Sequence, residues 1–176
     1  MYRCGRTRAT VINEAAHVLV ARLGPKAYNP FDLTRTSLRL AGILLIVLPT
    51  VMYGGVTILT MLIGDPGYMA NPLRQDLWRA GHAHAGVLLL LALVSLRYVD
   101  EANLSDRQKA AVRTSIPLAA ILMPAGFFLS ILSPDATRPN ALIALTYAGA
   151  VVLATGVVVL GIGLVRAPSS VSRGQG

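Results

Sequence analysis

The stretch DLWRAGHAHAGVLLLLALVSL, residues 76–96, decides how this chain is to be read. As a helix over 77–97 it covers roughly 30 Å at 1.5 Å per residue, the thickness of a bilayer's hydrocarbon core. Between Arg79 and Arg97 it carries no Asp, Glu, Lys or Arg, yet it holds His82 and His84, two of the three histidines in the chain. An apolar run of this length with ionisable groups near one end is expected to cross a membrane and to expose those groups just under one surface.

Three further apolar blocks flank it, at about 38–64, 114–133 and 141–165, joined by short polar loops. Across all 176 residues, 54% are hydrophobic and only 14% charged, with a mean hydropathy of +0.59. A soluble domain holds roughly a quarter charged residues, and its apolar positions are spread along amphipathic faces instead of gathered in blocks. The expected fold is all-α, an integral membrane four-helix bundle. The spans lie in one domain, 36–166, after a basic leader, 1–35, and before a tail, 167–176, of disordered composition.

The net charge of +8 is distributed by loop. Thirteen of the sixteen basic residues lie before the first block, between the second and third, or after the fourth. Only Arg74, Arg79 and Arg138 lie in the other two loops. Flanking Lys and Arg hold loops in the cytoplasm, so the N and C termini are expected there, with anionic headgroups and not nucleic acid as the counter-charge. The bias toward Arg over Lys, a matter of composition only, reads as that of a GC-rich bacterial genome, and the expected location is a bacterial inner membrane. The first block starts too far in, and is too long, for a cleavable signal peptide, so it should stay in the mature chain. Cys4 is the lone cysteine, which excludes an internal disulfide and a thiolate cluster.

Local signals refine the spans. Thr10 to Leu23 has helical apolar spacing and reads either as a short interfacial helix or as a frayed tail, with His17 a solvated residue. The first block is long enough to need tilt or a kink, which Pro49 supplies, and Gly54-Gly55 permits close helix approach. Tyr68 and Trp78 suit an aromatic belt, and Asp76 is placed to cap the second helix. Ser105-Asp106-Arg107-Gln108 has the form of a capping box that starts the third helix. Pro117 and Pro124 predict that this helix is bent and buried, and Ser133-Pro134 should stop it. In the last span Gly149, Gly156 and Gly163 recur every seven residues, with Thr146, Leu153 and Leu160 three ahead of each. That seam predicts close packing on a partner helix, in the chain or in another subunit.

The histidines are the candidate site. Positions two apart on a helix point about 200° apart, so His82 and His84 face different partners. Gly86, one turn below His82, leaves room there for a neighbouring helix or a flat macrocycle. Asp76 belongs to the candidate metal set with both histidines, and Asp65 and Asp135 lie at the same end.

Arg79-x-x-His82-Ala83-His84 resembles the Arg-x-x-His-Ala-His segment of bacterial relatives of the haem-copper oxidase catalytic subunit and of related nitric-oxide-response membrane proteins. The resemblance covers about ten residues, and Leu89-Leu90 stand where those segments run on to Gly-Trp. It implies haem or copper bound through histidines at the membrane boundary. With His17 outside the membrane, the ligand count excludes an oxygen-reducing haem-copper centre. It allows one haem b at most, held by His82 or His84 and a partner such as Met52, Met61, Met123 or a residue of another subunit.

Three functional classes stay open on these residues. The first is a structural or accessory subunit packed against a larger membrane complex or against itself. The second is a haem- or metal-binding protein of electron transfer or sensing, and the third an oligomeric channel or small transporter. The chain has no P-loop, no Gly-x-Ser-x-Gly, no paired acids at active-site spacing and no zinc motif, which disfavours hydrolase and kinase chemistry.

Overall fold

The computed structural model describes residues 33–167. The expected interfacial helix at 10–23, His17 and the tail from residue 168 lie outside the described residues. Within them the chain is helical and has no strand. Helix α1 is Arg35–Gly64, α2 the single turn Pro66–Met69, α3 Pro72–Tyr98 and α4 Asp106–Leu129; a 3₁₀ turn, Ala141–Ile143, leads into α5, Ala144–Val165. Four helices, α1, α3, α4 and the continuous Ala141–Val165, are long and apolar enough to cross a membrane.

The caps explain where each helix begins. Thr34 Oγ1 accepts from the Ser37 amide at 3.3 Å to start α1. The capping box at Ser105 is formed: the Gln108 amide donates to Ser105 Oγ at 3.4 Å, and the Ser105 amide donates to Gln108 Oε1 at 2.9 Å. The second span departs from expectation. Its helix starts at Pro72, about a turn and a half before residue 77, because Asn71 Oδ1 accepts from the Arg74 amide at 3.0 Å and Pro72 takes the first helical position. Asp76 therefore caps nothing; it lies in the second turn and pairs with Arg79 at 2.8 Å.

A second correction concerns the end of α4, which stops at Leu129 and not at Ser133. Asn140 is the cause. Its amide donates to the Ser130 carbonyl at 2.8 Å and its Nδ2 donates to the Leu129 carbonyl at 3.0 Å, while its Oδ1 accepts from the Leu142 amide at 2.8 Å. One side chain thus closes α4 and opens the next helix, satisfying carbonyls that the helix would otherwise leave orphaned.

Loop hydrogen bonds fix an up-down-up-down course. Asp100, after α3, accepts from the Thr34 amide before α1, and the Asn103 amide donates to the Gly163 carbonyl near the end of α5. At the other end, Asn71 Nδ2 donates to the carbonyls of Pro134 and Ala136 at 2.8 and 3.0 Å. The long helices approach in chain order, α1 on α3, α3 on α4 and α4 on α5. Ala92, Val99, Ala102, Val112, Ile116 and Leu160 form a buried cluster, with Leu44 of α1 packed at its edge. Helix α1 is the outlier: none of its most apolar window is buried.

The glycine seam of α5 faces α4 and the loop before it. A Cβ at Gly149 would meet Met123 Cγ at 2.6 Å, one at Gly163 would meet Leu104 Cγ at 2.5 Å, and one at Gly156 would collide with Ser115 Oγ. Gly126 of α4 answers from the other side against Thr146. Helix α4 runs unbroken through Pro117 and Pro124; Pro124 is buried, and beside it Thr146 Oγ1 donates to the Met123 carbonyl at 3.3 Å.

Candidate functional site

The first turns of α3 carry most of the chain's unusual chemistry. Arg74, Trp78 and His82 follow one another at i, i+4 and i+8, so they climb one side of the helix with a slow rotation. His84 lies roughly opposite His82.

His82 faces α1. Its ring fits against Gly54 and Gly55, so closely that a Cβ on Gly55 would come within 2.9 Å of Nε2. Gly86, one turn on, is met by Val51 of the same helix, at 3.9 Å from a Cβ built there. Helix α1 is thus the neighbouring helix that lies beside Gly86.

His84 faces α4. Its ring lies 5.0 Å from that of Phe127, tilted by 36°, and Nδ1 is 2.7 Å from the Ala80 carbonyl. A carbonyl only accepts, so Nδ1 is the donor in this contact, and in the neutral ring Nε2 is then the acceptor. Gly81 lets the two helices close up here, since a Cβ would meet Phe127 and Phe128 at 3.1 Å.

The structure does not gather the expected metal set. Asp76 is exposed and held by Arg79, while the histidines address different helices. Among the described residues no group of three or more His, Cys, Asp or Glu could hold a metal ion. Of the methionines considered as haem partners, Met123 is buried in the α4–α5 seam and Met52 lies exposed on α1.

Two features were not singled out from the sequence. The first is Arg74, which is only 9% exposed. Its guanidinium lies 4.6 Å over the Trp78 ring, and its Nε has no hydrogen-bond partner among the described residues. Trp78 packs between Tyr68 at 6.1 Å and Phe128 at 5.9 Å, and the buried Tyr68 hydroxyl and Trp78 Nε1 also lack partners. Burial pushes the Tyr68 phenol above its ordinary value, against the opposing pull of Arg79 and Arg74. The signal in the sequence was an arginine four residues before the lone tryptophan.

The second feature is at the opposite, arginine-rich end. Asp100 accepts from the Thr34 amide at 3.1 Å and from Ser37 Oγ at 2.9 Å, and it pairs with Arg113, whose Nε also donates to Ser37 at 3.1 Å. Lys109 Nζ donates to the Asp100 carbonyl at 3.0 Å. Burial works to raise the Asp100 carboxyl, but the hydrogen bonds from Thr34, Ser37 and Arg113 outweigh it and hold the carboxyl below its ordinary range. This cluster ties the start of α1 to the α3–α4 loop and to α4.

Comparison with protein-family models, with curated proteins and with solved structures finds no match to this chain.

Proposed function

We propose that this chain is a small multi-pass protein of the bacterial cytoplasmic membrane. In this reading it serves as an accessory subunit, laying α1 against a transmembrane helix of a larger complex or of a second copy. Four apolar spans and the crowding of basic residues at one end support insertion with that end inside.

The observation that carries the accessory role is Tyr53. It lies about 27 Å along α1, a helix of some 45 Å, and so falls close to mid-span. There it is 72% exposed, and its hydroxyl has no hydrogen-bond partner among the described residues. Tyrosines favour the membrane interface, where the hydroxyl finds water, as Tyr147 in the first turn of α5 would. A phenol hydroxyl in hydrocarbon needs an acceptor, which a neighbouring helix supplies. Around it Ile46, Met52, Val56 and Ile63 present a large exposed apolar surface.

A photo-crosslinking side chain in place of Tyr53, activated in native membranes, tests this reading. A discrete adduct to another membrane protein or to a second copy supports it. Crosslinks to lipid alone overturn it.

A second reading, haem ligation through His84, has one observation in its favour. The bond from Nδ1 to the Ala80 carbonyl orients the ring and leaves Nε2 as a coordinating nitrogen, the arrangement usual for ligating histidines. His82 fits worse, its Nε2 being turned into the Gly55 notch. The second axial ligand would come from a partner subunit. A Soret band lost in His84→Ala and kept in His82→Ala supports this reading; a colourless preparation from haem-replete cells ends it.

A further inference from the structure

We infer that Arg74, with the Tyr68 hydroxyl and the Trp78 indole N–H, forms a binding site for an oxyanion at the outer end of the helices, the phosphate of a lipid headgroup or a free phosphate. The inference goes beyond the accessory role and does not depend on it.

Three facts about Arg74 combine. It is buried, with 9% exposure, and a buried guanidinium without a counter-charge is costly. It stands in the first turn of α3, where the helix macrodipole favours anions and opposes a cation. Finally, no carboxylate answers it. Asp76 is taken by Arg79 and Asp135 is exposed, and Arg74 has no ion pair among the described residues. The face of Trp78 compensates part of the charge, because its π-cloud attracts a cation, but it accepts no N–H in the plane of the guanidinium.

The neighbours point to the same chemistry. Tyr68 is fully buried, and its hydroxyl and the Trp78 N–H are both without partners, in side chains that touch one another. Buried polar groups are nearly always satisfied, so three orphans on side chains in mutual contact call for partners, here assigned to a single ligand. Arginine, an indole N–H and a phenol can all donate, and the ligand that satisfies three donors around a positive charge is an oxyanion. A groove of about 510 Å³ opens at this end, lined by Gly67 and Leu73, which precede Tyr68 and Arg74 in the chain, and by Asn71, Asp135 and Thr137; the three donors lie behind its wall.

Trp78 is the sole tryptophan, so intrinsic fluorescence reports this site alone. The full chain is placed in phosphatidylcholine nanodiscs and titrated with inorganic phosphate, and in parallel the phosphatidylglycerol content of the discs is raised. A saturable change in Trp78 emission is expected in one arm, and that arm assigns the source: a response to inorganic phosphate means a free anion, one to phosphatidylglycerol alone a lipid headgroup. Arg74→Gln should weaken the midpoint roughly tenfold to a hundredfold, as loss of a charge-assisted hydrogen bond would. Tyr68→Phe removes only the hydroxyl and should weaken it several-fold, which keeps the test open if Arg74→Gln fails to fold. Arg107→Gln, an exposed arginine at the opposite end of the helices, should leave it unchanged. No saturable response in either arm, or a response that survives both Arg74→Gln and Tyr68→Phe, overturns the site and leaves water as the partner of these groups.

Discussion

The imidazole of His82 lies in a notch that Gly55 makes in α1, and a single added methyl would stand 2.9 Å from its Nε2. The neighbouring Gly54 is freer, its added Cβ lying 3.8 Å from Nδ1, an ordinary contact. Gly55→Ala should therefore cost about 1–3 kcal/mol by overpacking, whereas Gly54→Ala should be near neutral or mildly stabilising, since alanine is the better helix former. Thermal unfolding of both variants in one detergent checks the difference. Equal midpoints would mean that α1 sits elsewhere.

Much of this arrangement was legible in the sequence. Block length marked out four helices long and apolar enough to cross a membrane, and Ser105 with Gln108 marked the start of α4, because both signals are local. The opposed directions of His82 and His84 followed from helix periodicity alone. What stayed hidden depends on tertiary neighbours. Arg113 read as one more orienting charge, and only the folded chain brings it to Asp100 and Ser37. Asn71-Pro72 suits a turn as well as the helix start that it makes, and local chemistry does not choose between these outcomes. The partner of the glycine seam was likewise unreadable, since periodicity names a face and not what covers it.

That seam yields a sharper contrast, because α5 carries glycines of two kinds. Gly149 and Gly156 press on α4, whereas a Cβ at Gly161 would meet nothing within 4 Å. Gly149→Ala and Gly156→Ala should each destabilise by about 1–3 kcal/mol, through contact with the Met123 side chain and backbone and with Ser115 and Ile116. Gly161→Ala should be neutral or stabilising by up to about 1 kcal/mol. Unfolding midpoints of the three variants decide it, and a destabilised Gly161→Ala would show that this face of α5 is covered by a partner.

The Asp100 cluster predicts a pH dependence of definite sign. The folded carboxyl is held below its ordinary value of 3.8, so the unfolded chain takes up its proton first as the pH falls. Its contribution to stability is complete above the ordinary carboxylate range and is lost as the pH drops through that range toward the folded value. Arg113 and Asp100 are 13% and 12% exposed, and removing one partner of such a pair leaves the other uncompensated, at a cost of about 3 kcal/mol or more. Asp100→Asn should lower the unfolding midpoint at pH 7 and flatten its decline between pH 5 and pH 3. A variant that unfolds with the wild-type pH profile would remove Asp100 from the account of stability.

The orientation can be read with thiols, because Cys4 is the only cysteine. Thirteen basic residues flank one side of the four apolar helices and three the other, a bias that under the proposed insertion keeps the richer side in the cytoplasm. Thr34, Asp100 and Asn103 are bound together at that richer end, while Asn71, Pro134 and Ala136 meet at the other. A membrane-impermeant maleimide should therefore leave Cys4 unlabelled in intact spheroplasts and label it after lysis. In a Cys4→Ser background, Thr137→Cys should label in both conditions, since it lines the groove at the opposite end. The reversed pattern would put the Arg74 site in the cytoplasm and the arginine-rich end outside. Labelling of both thiols in intact spheroplasts would mean an even number of crossings between Cys4 and Thr137, against the three long apolar helices that separate them.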